Sequence, residues 1–330
     1  MSDRPTVSVV IPTRNRWRLL STHALPSALA QEEVRFEIVV VDDGSTDETP
    51  HRLAELDSPY VRVIRIEPSR RPKGVRTTGR ARNKGIEAAR GDWLAFLDDD
   101  DIWAPRKLVS QLHAAERGGA SFVYSRVLIV DERKAVVGVQ ELPDPAKLQD
   151  LMLRGNYVPG GGSGAIARAE DVRRVGGFDE SLHFVEDWDL WIRLVDGAVV
   201  AACPDVHVAR VEHSEAALFR ERPDVVADVK RMLSKYMTVD ENRSQATLEW
   251  LAWEHHLAGR KLAASRLYFR AAVRFRSLGN LPPALGALFG SPGMRAARDL
   301  VVTLRGRAHF GTPDTDEPPV APDWLARYRT

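Results

Sequence analysis

The chain has 330 residues, 44% of them hydrophobic and 28% charged, the proportions of a folded globular protein long enough for a main domain and a smaller appendage rather than a fibrous or disordered chain. With 47 basic residues against 46 acidic ones the net charge is +1, so there is no global attraction to nucleic acid. Cys203 is the sole cysteine, which excludes an intramolecular disulfide and fits a reducing, cytoplasmic compartment. VSVVIP is too short for a signal peptide, and no run approaches the roughly 18 apolar residues of a membrane span, so any membrane contact is expected to be peripheral.

VSVVIP (7–12) and FEIVVVDD (36–43) are continuous β-branched runs, the first ended by a proline and the second by acids, and both predict strands buried on two faces, as in a parallel sheet. Between them WRLLSTHALPSALAQ has helical spacing, with Pro26 kinking or dividing it. STDETPHRLAEL carries a helix-start signature, Ser45 or Thr46 as cap with acids in the first turn. VRVIRIE, TGRARNKGIEAAR, DWLAFLDD, PRKLVSQLHAAERG and SFVYSRVLIVD then read as strand, helix, strand, helix and strand. This alternation predicts an α/β fold, a doubly wound sheet with flanking helices. The strand pattern stops near residue 215. Residues 224–237 and 245–276 read as helices, the second broken near Gly259, giving an α-helical extension over 216–310. The Pro- and acid-rich GTPDTDEPPVAPDW predicts a disordered tail over 311–330.

The segment GDWLAFLDDDDIW ends a buried-looking strand in four aspartates, Asp98 to Asp101. Adjacent carboxylates repel by about 1 kcal/mol per pair at 4 Å even in water. Charge runs are ordinarily solvated loops, but Asp42 and Asp43 close a second strand, and open α/β sheets bind ligands outside the carboxyl ends of their strands. Two acidic strand ends on one rim suit a hard divalent cation, Mg²⁺ or Mn²⁺, that bridges to phosphates. In HFVEDWDLWIRLV, a helix over 187–195 places Asp187 on one face with Leu190, Trp191 and Leu194. Partial desolvation there raises a carboxyl pKa and makes it a better proton acceptor; a helix N-cap is the alternative. NYVPGGGSGAIA has the letters of a phosphate loop from Gly160 to Ala165, but lies mid-chain and leads into a short strand, which is not the setting of a dinucleotide fingerprint. A backbone-accessible loop beside a diphosphate or acceptor and a plain flexible loop stand equal. GGFDE reads as a turn with Gly177 at positive φ.

In order and spacing, VSVVIPTRNR, VVVDDGSTDET, GRARNKGIEAARGDWLAFLDDDDIW and GGFDESLHFVEDWDLWIRL resemble the motifs of the family 2 glycosyltransferases, inverting enzymes with the GT-A fold and its mixed, mostly parallel sheet; the match covers roughly residues 5–215. The resemblance implies a catalytic domain over 1–215 that moves a sugar from a nucleotide-diphosphate donor, a UDP-sugar in the first instance, to a hydroxyl of a saccharide or lipid-linked glycan. It implies Pro12, Thr13 and Arg14 in the nucleotide pocket, Asp43 as acceptor of a nucleobase hydrogen bond, Asn83 on the donor side, Asp98 and Asp99 near ribose and sugar, and Asp100 on the metal. Four acids in a row leave the register of the D-x-D element ambiguous by one position. Asp98 with Asp100 is the preferred pair, leaving Asp101 to face solvent or cap the next helix. Asp187 becomes the general base, Glu186 its support or an acceptor ligand, and Trp188 a ring that stacks on acceptor sugar or packs. His213, in R-x-x-H-S from Arg210, is a candidate third metal ligand.

Between His256 and Phe310 ten Arg or Lys residues stand against one acid, Asp299, with Tyr268, Phe269, Phe275 and Phe289 interleaved. A basic face with aromatics suits anionic lipid headgroups at the inner face of a membrane; a solvated helical face packed on the catalytic domain is the alternative. No nucleic-acid module accompanies the charge. The rival functions are a nucleotidyltransferase that makes sugar nucleotides and a non-catalytic sugar-nucleotide sensor, neither of which needs a base in the E-D-W helix.

Overall fold

The computed structural model describes residues 5–67, 78–153, 155–212, 225–236, 245–257, 259–290, 293–294, 296–297 and 321–328. Val7–Thr13 (β1), Phe36–Asp43 (β2), Val61–Ile66 (β3) and Trp93–Phe96 (β4) form the parallel half of a sheet in the order β3-β2-β1-β4. Every residue of β1 and the last six of β2 are buried, because helices cover both faces and leave no polar side to alternate with.

The other half is antiparallel where it joins β4. Ile102–Trp103 (β5), Phe122–Val130 (β6), Val136–Gln140 (β7), Ala165–Arg168 (β8) and Val200–Val211 (β9) extend the sheet as β4-β8-β6-β9-β5, with β7 paired to β6. The β4–β8 and β8–β6 pairs are antiparallel and β6–β9 is parallel, so the sheet is mixed.

The helix Thr78–Ala88 lies so close to β1 that a Cβ on Gly85 would stand 2.2 Å from Val10 Cγ1. That approach carries Arg82 down to the sheet. Around Pro26 a π-type turn, Leu20–Ala24, precedes the helix Leu25–Leu29, with the proline in the first turn, where its missing N–H costs nothing. The expected cap at Ser45 or Thr46 is not used: the helix begins at Thr49, and Ser45 Oγ instead accepts the Asn15 amide at 2.8 Å.

The chain divides into two compact units, Met1–Gln149 with Asn156–Glu212 and Glu317–Thr330, and Asp150–Gly155 with His213–Asp316. This differs from division at 215, because the C-terminal segment returns to the sheet. Leu325, in the helix Asp323–Ala326, is fully buried against Ile102, Leu128, Val130, Ala209 and Val211, with Trp324 and Tyr328 packed beside it. The tail read as disordered therefore contains an ordered anchor at residues 321–328. Its apolar residues were outvoted by the prolines and acids before them, and their partners lie more than 100 residues away.

The second unit contains the helices Val225–Leu233, Gln245–Leu257, Lys261–Arg274 and Leu281–Leu288. They enclose a small core of Ala252, Ala264, Tyr268, Ala284, Ala287 and Met294. The break expected near Gly259 is present, with that residue at φ +71°. Among the described residues no helix is long and apolar enough to cross a membrane.

Candidate active site

The carboxyl ends of β1, β2 and β4 share one rim, since these strands are parallel neighbours. After β4 the chain makes a turn closed by the Asp101 amide on the Asp98 carbonyl at 3.1 Å. The turn sorts its four acids by alternation. Asp98 and Asp100 keep 37% and 17% of their side-chain surface, whereas Asp99 keeps 5%. Asp99 accepts from Thr13 Oγ1 at 2.8 Å and from Arg16 Nη1 at 2.7 Å, and Arg16 Nη2 reaches Asp100 at 3.0 Å. Burial, partly relieved by Arg16 and reinforced by Asp100, pushes the Asp99 carboxyl up to about 7.

Asp101, expected to face solvent or cap a helix, does neither. It is buried and accepts from Ser163 Oγ at 2.6 Å and the Val211 amide at 3.2 Å. Ser163 also accepts the Asp98 amide at 3.1 Å and, through its carbonyl, Trp103 Nε1 at 3.0 Å. The 160–164 loop is thus an ordered brace for the acidic turn rather than a flexible loop.

Arg82 is the buried centre of the cluster, 3% exposed. Its Nη1 donates to Glu186 Oε1 at 3.0 Å and its Nη2 to Asp98 Oδ1. Burial opposes its charge, but Asp98, Glu186 and Asp187 outweigh that and hold the guanidinium above its ordinary pKa. Glu186 is pushed up to about 7, by burial first, against the pull of Arg82 and with the push of Asp187.

The helix Glu186–Val195 carries three acids in its first turn, where the helix dipole favours negative charge. Its N-cap position is Val185, so Asp187 is not the cap, although its Oδ1 accepts the Trp188 amide at 2.7 Å. Asp187 Oδ2 accepts from Asn156 Nδ2 at 3.2 Å. Half-buried beside Gly161, whose absent Cβ would stand 2.7 Å from Asp187 Oδ2, this carboxyl is held above its ordinary value by burial, Arg82 opposing. A side chain at this position would press on the Asp187 carboxylate and take a left-handed φ of +55°, which favours glycine.

Within the described residues the cluster gathers six carboxylates (Asp98, Asp99, Asp100, Asp101, Glu186, Asp187) and two guanidinium groups (Arg16, Arg82). The donors are all oxygen and negative charge is in excess, which fits a hard divalent cation. Asp98 and Asp100 are the carboxylates open enough to hold one.

Residues 8–176 match the family described as Glycosyl transferase family 2. The chain belongs to that family. Over 126 residues it is 40% identical to the succinoglycan biosynthesis protein ExoO of Rhizobium meliloti (strain 1021), covering 38% of this chain and 34% of that protein; it therefore spans about a third of that relative's length. Over 200 residues it is 27% identical to the UDP-Glc:alpha-D-GlcNAc-diphosphoundecaprenol beta-1,3-glucosyltransferase WfgD of Escherichia coli, covering 61% of this chain and 74% of that one. Its fold is similar to that of S. aureus TarS 1-349 in complex with UDP-GlcNAc (TM-score 0.51, 17% identity, 91% of this chain and 83% of that chain). It is similar also to the mannosyltransferase PcManGT from Pyrobaculum calidifontis in complex with GDP-Man and Mn²⁺ (TM-score 0.52, 19% identity, 92% and 87%). The mixed sheet with flanking helices is the GT-A fold implied by the family 2 motifs.

The family 2 motif residues divide in this geometry. Pro12 lies inside β1 opposite Val41, Thr13 holds Asp99, and Arg14 is exposed just beyond the strand. Asp43 is buried at the end of β2, 3.1 Å from Arg80 Nη1. Asn83 is hydrogen-bonded within the fold: its Oδ1 accepts the Phe178 amide at 2.8 Å, and its Nδ2 donates to the Phe178 carbonyl at 2.9 Å and to Glu180 at 3.0 Å. It pins the turn that follows Gly177, which has the expected positive φ of +69°. Trp188 is only 3% exposed, leaving almost no ring face for a sugar; of the two expectations, packing holds. Glu186 is spent on Arg82 rather than turned toward an acceptor. His213 lies outside the described residues. Arg16, Arg82 and Ser163 join the site without a role assigned to them by the sequence motifs. Arg82 alone had left a signal, since with Ile86 and Ala89 it forms an i, i+4, i+7 stripe on an otherwise apolar helix face.

Proposed function

We propose that this family 2 chain is a metal-dependent inverting glycosyltransferase that moves a sugar from a nucleotide diphosphate, UDP in the first instance, to a hydroxyl of a saccharide or lipid-linked glycan. The observation that carries the reading is the separation of two kinds of carboxylate across one buried guanidinium. On one side of Arg82 stand Asp98 and, in the same turn, Asp100, open and suited to a metal; on the other stands Asp187, half-buried with raised proton affinity. An inverting transfer needs both: neutralisation of the leaving diphosphate, which Mg²⁺ or Mn²⁺ supplies when bound, and a base that takes the acceptor proton. In this reading Pro12, Thr13 and Arg14 line the nucleotide pocket, Asp43 accepts a hydrogen bond from the nucleobase, and Asp187 takes the proton at Oδ2, the oxygen beside Gly161. Relatives and fold neighbours that carry UDP-Glc, UDP-GlcNAc and GDP-Man in their names support a nucleotide-sugar donor. A nucleotidyltransferase or a sensor has no use for a base poised in this way.

The test is incubation with a panel of nucleotide sugars, Mn²⁺ and glycan acceptors, followed by phosphate analysis and NMR of the product linkage. The expected result is nucleoside diphosphate with a product inverted at the anomeric carbon. Pyrophosphate release, or retention of configuration, overturns the reading.

The second unit supports a peripheral membrane contact. On Lys261–Arg274 the residues Leu262, Phe269 and Val273 are 56–66% exposed along one face shared with Arg266 and Arg270, and Phe289 is 73% exposed. Apolar side chains interleaved with arginine suit an anionic bilayer surface at the cytoplasmic face. Phe269→Ser with Phe289→Ser is expected to abolish co-sedimentation with anionic vesicles, and rising salt to weaken it in the parent chain; undiminished sedimentation of the double variant removes the proposal.

A further inference from the structure

Away from the acidic rim, a group of three metal-ligating side chains converges among the described residues. Cys203, Asp205 and His207 lie on β9, and one donor atom of each falls within 4.8 Å of the other two. An extended strand cannot do this. At about 3.3 Å per residue, positions four apart are roughly 13 Å from one another.

Two bulges bring them together. In the parallel pair with β6, Ser125 faces Cys203 but Arg126 faces Val206, and Val127 faces Val208. The residues left without a partner are Pro204, Asp205 and His207, so two of the three donors are the bulged residues themselves. Bulges re-aim side chains and recur beside functional sites. A second observation is independent of the register: His207 is 6% exposed and its Nε2 is buried with no hydrogen-bond partner, a state that ordinarily costs free energy. Cys203 is 3% exposed and Asp205 is exposed, which gives the group a dry inner side and an open outer one.

We infer that Cys203, Asp205 and His207 form a binding site for a borderline divalent cation, Zn²⁺ being the natural occupant, separate from the oxygen-only rim. Sulfur, imidazole and carboxylate are the donor set of zinc, and water completes four-coordination on the Asp205 side. Zinc bond lengths of about 2.0–2.3 Å place tetrahedral donors roughly 3.3–3.8 Å apart, so the group closes by no more than about 1.5 Å on binding. Lys107 lies close enough to act electrostatically on Cys203 and His207, and burial lowers its own pKa.

The site is independent of the proposed transferase activity, and so is its test. Co²⁺ is added to this 330-residue chain and the thiolate-to-cobalt charge-transfer band recorded; because Cys203 is its only cysteine, any such band reports it. The expected result is a band that saturates at one equivalent, is displaced by Zn²⁺ and persists in Asp100→Ala. His207→Gln is expected to abolish it, and Asp205→Asn, at an exposed position compatible with folding, to weaken Co²⁺ binding at least tenfold. Absence of the band in the parent chain, its survival unchanged in Asp205→Asn, or its loss in Asp100→Ala overturns the inference.

Discussion

Replacing Arg82 by Met leaves a hydrophobic stem of similar length and strands Asp98, Glu186 and Asp187 without their shared cation. Each guanidinium–carboxylate contact, at 3.0 Å for Glu186, represents about 5 kcal/mol of attraction at an effective dielectric near 20, largely offset by the cost of burying the charge. The relevant quantity is what remains when one partner of a buried pair is removed, about 3–5 kcal/mol. Against a total stability of about 5–15 kcal/mol this is large. With a urea m value of about 2–3 kcal/mol/M the unfolding midpoint falls by roughly 1–2.5 M. Tryptophan fluorescence reads the transition, since Trp188 and Trp191 are buried on the same helix as Glu186. Adding Glu186→Gln to Arg82→Met removes one stranded charge and is expected to recover about 1–3 kcal/mol, a coupling typical of contacting residues. Arg82→Lys keeps a charge but loses the two-pronged geometry and falls between.

The pH dependence has a definite sign. Glu186 titrates near 7, above its ordinary value of 4.5, so its stabilising contribution is complete below 4.5 and is lost as pH rises through 7; without Arg82 the loss deepens. The deficit of Arg82→Met should therefore be greatest above neutrality and shrink on acidification. A deficit under about 1 kcal/mol, or strict additivity with Glu186→Gln, refutes the assignment of Arg82 as the buried keystone of the site.

Asp187→Asn is expected to lower sugar transfer by about 10²- to 10⁴-fold with nucleotide affinity unchanged and stability reduced by about 1 kcal/mol, because the new amide faces Asn156 Nδ2; turnover near the parent's excludes it as the base. Since the Asp187 carboxyl is held above its ordinary value, the acid limb of the rate profile should lie above that of an unperturbed aspartate, with rate lost as pH falls, and a limb at the ordinary carboxylate position contradicts this. A chelator is expected to abolish activity and Mn²⁺ or Mg²⁺ to restore it, and Asp100→Ala to weaken nucleoside diphosphate binding more than nucleoside binding; full activity in a metal-stripped sample counts against the rim as a cation site. Lys107 is buried with its Nζ 3.8 Å from the centre of the Trp103 ring and 3.4 Å from the Ala165 carbonyl, and burial holds it well below 10.5. Its contribution is complete above 10.5 and is lost as pH falls, so Lys107→Met should stabilise the chain at neutral pH by about 1 kcal/mol or more and remove that slope from the melting-temperature profile; a destabilised variant refutes the account.

Local information in the chain was sufficient for the parallel strands, for the helix at 186–195 and for the acidic rim. Runs such as VSVVIP and FEIVVVDD have no polar face, the E-D-W helix has apolar residues at helical spacing, and aspartates at strand ends mark which edge of an open sheet is chemical. The antiparallel half was less legible. β5 has two residues and β8 four, too few for a periodic signal, and their partners are set by register across long loops.

The sign and position of the charges follow from the chain alone; their burial follows from the fold. Asp98 to Asp101 are identical in composition, yet the turn leaves the first and third partly accessible and buries the other two, one on Thr13 and Arg16, one on Ser163 and Val211. Arg80, Arg82 and Lys84 are equally basic neighbours, and only Arg82 enters the core. Leu325 lies beyond a stretch whose composition argues for disorder and is nonetheless fully buried. In each case the deciding partner is distant in the chain, 104 residues away for Arg82 with Glu186 and 110 for Asp101 with Val211. Propensity and periodicity act over a few residues, whereas desolvation depends on what the closed sheet brings alongside.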